Sequence, residues 1–134
     1  MENYSPHTLE GLPNSFAVNQ ITSTLDGELW IDVYPRNKGP RPISRIVFPS
    51  YDAYRVINES YRLVMLDCDN IKPKENQVYT ALNSRWLNWL EKESYETQDI
   101  EMLHHYLILE PEYTIEVISY DKPTVNLISD CRET

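Results

Sequence analysis

The stretch HHYLILEPEYTIEVISY, residues 104–120, decides the fold class. His104 to Leu109 and Tyr113 to Tyr120 are rich in aromatic and aliphatic residues, many of them β-branched, which suit a pleated, buried surface. Between them Glu110-Pro111-Glu112 is turn material, with proline at the favoured second position. The combination predicts an antiparallel hairpin with two carboxylates at its tip. Upstream, residues 82–92 change period: Leu82, Trp86, Trp89 and Leu90 share one stripe at 3.6 residues per turn, while Ser84, Arg85, Asn88, Glu91 and Lys92 lie off it. This predicts an amphipathic helix over about 82–93, capped by Asn83 or Ser84 and ending where Glu93 would return to the apolar stripe. Packing of Trp86 and Trp89 into the core is the stronger account of that stripe, because it is the helix's means of docking.

Earlier segments extend the same picture. Residues 1–14, with Pro6, Gly11, Pro13 and Asn14, show no period and read as an irregular lead-in. A strand is expected from Ser15 to Thr24. After the Asp26-Gly27 turn, Leu29, Ile31 and Val33 alternate with Glu28, Trp30, Asp32 and Tyr34, the clearest strand of the first half. Pro35 to Pro42, holding Arg36, Lys38, Gly39 and Arg41, must be a loop, its charge that of a solvated surface. Short strands are expected at Ser44 to Phe48, from about Tyr54 to Ser60, and at Thr124 to Ile128. The apolar run Tyr61 to Leu66 continues as strand until Asp67, Asp69, Asn70 and Pro73 end it. Many strands with one main helix late in the chain give an α+β class, mostly antiparallel sheet, rather than alternating βαβ units. One domain over residues 1–134 is the expectation for 134 residues.

Composition limits the function. With 41% apolar residues the chain has material for a core. A net charge of -9 disfavours nucleic acid and anionic membranes, which require a basic stripe, and favours a basic partner. Residues 71–134 carry twelve of the 21 acids against six bases, so most of the excess is C-terminal. Two isolated cysteines, Cys68 and Cys131, form no disulfide framework or zinc motif; with no signal-peptide pattern and no run near the ~20 apolar residues of a membrane span, a soluble cytoplasmic protein with reduced thiols is expected.

No residue pattern carries recognisable catalysis. His104 and His105, near Asp99 and Glu101, point to opposite faces of a strand and make a poor ion site; one is expected to pack and the other to be solvated. Asp67-Cys68-Asp69-Asn70 fits turn chemistry better than a calcium loop or a nucleophile. Glu59, between Arg55 and Arg62, is expected in a partly buried ion pair. The three glycines are scattered and form no phosphate loop. Neither cofactor nor metal is expected, and no enzymatic activity. The acids from Glu91 onward remain, and clustered carboxylates steer a cationic partner. Glu91, Glu93, Tyr95, Glu96, Asp99, Glu101, Glu110, Glu112 and Tyr113 are the candidate partner-binding residues, with the connection from Glu91 to Glu101 and the hairpin tip expected to be exposed together.

The order Ile46-Val47-Phe48, Tyr54-Arg55-Val56, Asn58-Glu59-Ser60-Tyr61, Asn83-Ser84-Arg85-Trp86-Leu87, His105-Tyr106-Leu107-Ile108 and Ile115-Glu116-Val117-Ile118-Ser119 with Pro123 resembles small immunity proteins of bacterial contact-dependent inhibition and related polymorphic toxin systems. It spans residues 44 to 125 and is a core pattern that transfers no functional residue. The resemblance implies a cytoplasmic protein that binds and blocks one toxin domain, often a nuclease with a basic surface. The alternative is a small enzyme or ligand-binding domain with a pocket near Glu59 and His105.

Overall fold

In the computed structural model, which describes residues 2–40 and 42–129, the chain is α+β and mostly antiparallel sheet. The elements follow as β1 (Asn3–Pro6), β2 (Phe16–Ser23), β3 (Leu29–Pro35), β4 (Ile43–Phe48), β5 (Tyr51–Asn58), a 3-10 turn (Glu59–Tyr61), α1 (Leu63–Leu66), β6 (Val78–Leu82), α2 (Arg85–Glu93), β7 (His104–Leu109), β8 (Tyr113–Ser119) and β9 (Thr124–Ser129). The backbone groups into two compact units, one formed by the start of the chain through Thr8 with Asp52–Tyr120, the other by Leu9–Tyr51 with the chain from Asp121.

The first unit carries a five-stranded sheet in the order β1-β6-β7-β8-β5. Its centre is the hairpin of β7 and β8, registered His105↔Ile118, Leu107↔Glu116 and Leu109↔Thr114. Buried side chains along nearly the whole of both strands explain their almost unbroken apolar runs. Tyr4, Met65, Ile71, Tyr79, Leu107 and Leu109 form a core cluster, so β1 and α1 are both anchored to the hairpin. At the far edge Glu59 N–H donates to Glu112 O, and Thr114 Oγ1 donates to Ile57 O, which sets β5 antiparallel to β8.

Four expectations fail here, each for a physical reason. Residues 1–14 are not wholly irregular: Asn3–Pro6 pairs with β6 from Asn3↔Leu82 to Pro6↔Tyr79. A four-residue strand with one buried residue, Tyr4, offers no period to detect. β6 itself went unseen, since Val78–Leu82 is too short an apolar run to separate from the helix that follows. Residues 61–66 are turn and short helix rather than strand, because Asn58 Oδ1 accepts Ser60 N–H and turns the chain at the end of β5. The stripe of α2 is also displaced. Leu82 lies outside the helix and is exposed, Trp89 is 55% exposed, and Ser84 and Leu87 are the buried residues of this segment. Leu87 takes the inner position of the helix, Trp86 is half-buried against His105, and the Ser84 cap is buried with its hydroxyl bonded on both sides.

The second unit is a four-stranded sheet, β2-β3-β4-β9. Leu29, Ile31, Val33, Ile46 and Phe48 are fully buried, as the alternation in β3 and β4 requires. Asp32, on the opposite side of β3 from those residues, faces Arg45 in register and receives its Nε and Nη2 at 2.8 and 3.2 Å. Arg45 also lies 4.1 Å over the Trp30 ring, so β3 and β4 share one cation sandwiched between a carboxylate and an indole. Gly27 closes the β2–β3 turn at φ +90, where any other residue would be strained. In the loop of residues 35–42, Arg36 and Lys38 are exposed, and Arg41 lies outside the described residues, as does Cys131.

Candidate functional site

The polar centre of the first unit begins with Glu116 on β8, which has no exposed surface. β5 delivers Arg55, whose Nε and Nη2 donate to Glu116 Oε2 and Oε1 at 3.1 and 2.9 Å. Arg62, brought in by the 3-10 turn, donates from Nη1 to Oε2. His105 on β7 places Nε2 2.7 Å from Oε1. Burial raises the pKa of Glu116, but the hydrogen bonds from His105 and Arg55, with the charges of Arg55 and Arg62, outweigh it and hold the carboxyl at about 2. An ionised carboxylate only accepts hydrogen bonds, so His105 Nε2 carries a proton. On the other side of the ring, Ser84 Oγ lies 2.7 Å from Nδ1 while it accepts Leu87 N–H at 3.0 Å as the cap of α2.

Ser84, His105 and Glu116 therefore stand in the hydrogen-bonded order that hydrolases use for a nucleophile, its base and an orienting acid. Two features set them apart from such a site. Ser84 is buried, with its oxygen engaged by Leu87 and His105, and neither Ser84 nor His105 lines the cleft that Arg55 and Arg62 help to form. The arrangement locks α2 to the hairpin.

Beside this network opens a cleft of about 510 Å³, lined by Glu2, Arg55, Ile57, Arg62, Arg85, Trp86 and Trp89. The Trp86 ring packs edge-on to His105 at 5.4 Å and lies under the Arg55 guanidinium at 4.2 Å. Glu2 accepts Arg85 N–H on Oε2 and the Tyr4 hydroxyl on Oε1, each at 3.0 Å. Burial, with the nearby charges of Glu2 and Glu116, keeps that phenol protonated by pushing its pKa upward.

The expected residues fall differently. Glu59 is exposed in the 3-10 turn and does not line the cleft; Arg55 and Arg62 pass it by for Glu116, which the strand register sets opposite Leu107 in the interior. His104 is exposed and His105 buried, as adjacent strand positions demand. The turn at Asp67-Cys68-Asp69-Asn70 is tied to β1, where Asn3 Oδ1 accepts Asn70 Nδ2–H at 3.1 Å.

Of the acids, Glu93, Glu96, Asp99 and Glu101 are exposed on the connection between α2 and β7 and Glu91 is half-buried. Glu110, half-buried, accepts Glu112 N–H on its side chain, with Glu112 and Tyr113 exposed beside it. β7, roughly 17 Å long at ~3.3 Å per step, runs from the end of that connection to the hairpin tip. Just past α2, Tyr95 and Glu96 both adopt left-handed backbone, φ 56 and 60, a conformation uncommon for residues other than glycine. Tyr95 is 92% exposed there. Position alone suggested Tyr95; no sequence signal marked the left-handed backbone, the cleft, or the network under it, whose members lie up to 61 residues apart.

Comparison with protein-family models, with curated proteins and with solved structures finds no match to the chain. Among the described residues no helix is long and apolar enough to cross a membrane, and no group of three potential ligands stands ready for a metal ion.

Proposed function

We propose that this protein is a non-enzymatic, cytoplasmic immunity protein that binds a cognate toxin domain with a basic surface, such as a nuclease, and occludes it stoichiometrically. The observation that carries the reading is the end of α2. Glu91 and Glu93 occupy the last turn and Glu96 follows it, where the helix dipole disfavours negative charge by ~0.3–1 kcal/mol each. None of the three has an ion pair among the described residues, and Lys92 is the one base in that turn. Beside them Tyr95 stands exposed on the left-handed turn that closes the helix, where Tyr95 N–H donates to Lys92 O and Glu96 N–H to Glu91 O. Uncompensated charge that costs folding energy, gathered around one exposed aromatic, suits a surface whose benefit comes on binding.

The carboxylates speed encounter with a basic partner, and Tyr95 supplies an exposed aromatic anchor. A toxin whose phosphate-binding groove is filled this way loses its substrate by charge and bulk. The test is a pull-down with the product of the neighbouring toxin gene, followed by co-expression. Binding together with rescued growth is the expected result; no binding to a neighbouring product that is itself toxic overturns the proposal.

A further inference from the structure

The cleft above Glu116 has the opposite chemistry to the end of α2. We propose that it binds a small oxyanion, carboxylate or phosphate, carried on an aromatic body. Arg55 spends Nε and Nη2 on Glu116 and Arg62 spends Nη1, so most N–H donors of both guanidiniums remain, with the Arg55 plane fixed by its two bonds and the Trp86 ring. Donors held in place before the ligand arrives lose little freedom on binding, which favours affinity. Arg85 adds a third charge, and its side chain has no ion pair among the described residues.

Two observations narrow the ligand. Glu2 lines the same cleft with its carboxylate held by Arg85 N–H and the Tyr4 hydroxyl, so three guanidiniums stand against two carboxylates, Glu2 and the buried Glu116, and the excess of one positive charge suits one small anion. Trp89, half exposed, and Trp86 line the same cleft one helical turn apart and offer an indole wall to a ring. A polyanion would meet the repulsion of a chain of net charge -9, whereas one small anion would not be excluded. The proposal uses none of the acids at the end of α2 and stands or falls apart from the toxin reading.

Tryptophan fluorescence of the full chain, titrated with phenyl phosphate, benzoate and inorganic phosphate, tests it. A saturable change with a ring-bearing anion is expected, weaker with inorganic phosphate, and the tighter of the two ring-bearing probes names the oxyanion. Arg85→Ala should weaken that binding about tenfold by removing a charge-assisted hydrogen bond. Trp89→Ala should weaken the ring-bearing probes and leave inorganic phosphate unchanged, with Trp86 as reporter. Both residues are exposed, and far-UV circular dichroism checks that the variants fold. No saturable response to either ring-bearing probe, equal affinity for Arg85→Ala and the parent, or inorganic phosphate binding as tightly as phenyl phosphate would each overturn the proposal.

Discussion

Arg55 and Arg62 meet a buried carboxylate beneath the cleft, whereas Glu91, Glu93 and Glu96, at the C-terminal end of the helix that lines it, meet no base among the described residues. The two cations spend part of their donors inward, and the acids keep their charge uncompensated there. A macromolecule approaching this end of α2 therefore meets negative charge, although arginines lie within the same unit. Local stability explains the first arrangement: an unpaired buried Glu116 would be untenable, and its partners are all supplied. It does not explain the second, since carboxylates at a helix C-terminus weaken the helix.

The largest effect should come from breaking the inward half. Glu116→Gln leaves two guanidiniums facing a neutral group in the interior and is expected to cost ~3–5 kcal/mol in urea denaturation, the range for breaking a buried ion pair. The same group sets an acid dependence. Its pKa is about 2 in the folded chain against 4.5 ordinarily, so its contribution to stability is complete above about 4.5 and is lost as pH falls toward about 2. Parent stability should drop through that window by more than that of Glu116→Gln; parallel pH curves for the two would count against an ionised Glu116.

Ser84→Ala is next. It removes the cap of α2 and the partner of His105 Nδ1, and ~1–2 kcal/mol of destabilisation is expected, read from the denaturant midpoint. If Ser84 were instead a nucleophile, hydrolytic activity rather than stability would be the quantity that fell. Reversal of Glu110 and Glu112 to Lys, at the far end of β7, removes the acceptor of Glu112 N–H and should cost no more than about 1 kcal/mol, and should weaken toxin binding less than changes at the end of α2. An equal loss at both ends would merge the two acidic groups into one interface.

How much of this was legible in the sequence depends on how local the signal was. The β7–β8 hairpin, the alternation of Leu29, Ile31 and Val33, and the existence of α2 all follow from patterns within about ten residues. So does the serine cap, because Ser84 directly precedes the helix it closes. The network did not. Glu59 was the carboxylate nearest in sequence to Arg55 and Arg62, but chain proximity is a poor guide to pairing across a sheet, where the register of β7 and β8 puts Glu116 in the interior. Apolarity placed Trp86 and Trp89 in the core, yet Trp86 is half-buried and Trp89 exposed; the inner helix position went to Leu87, and Ser84 could be buried because its hydroxyl had two partners waiting. Charge at the end of α2 was visible from composition; the left-handed backbone that displays Tyr95 was not, because neither Tyr95 nor Glu96 is a residue that announces such a turn.

The central claim is that the acids at the end of α2 serve binding at a cost to folding, and Glu93→Lys with Glu96→Lys measures both sides at once. Lysine there complements the helix dipole, so stability should rise by ~0.3–1 kcal/mol. Affinity for the toxin domain, measured by calorimetry at low and high salt, should fall and lose much of its salt dependence. Unchanged affinity with an unchanged salt slope would contradict the account.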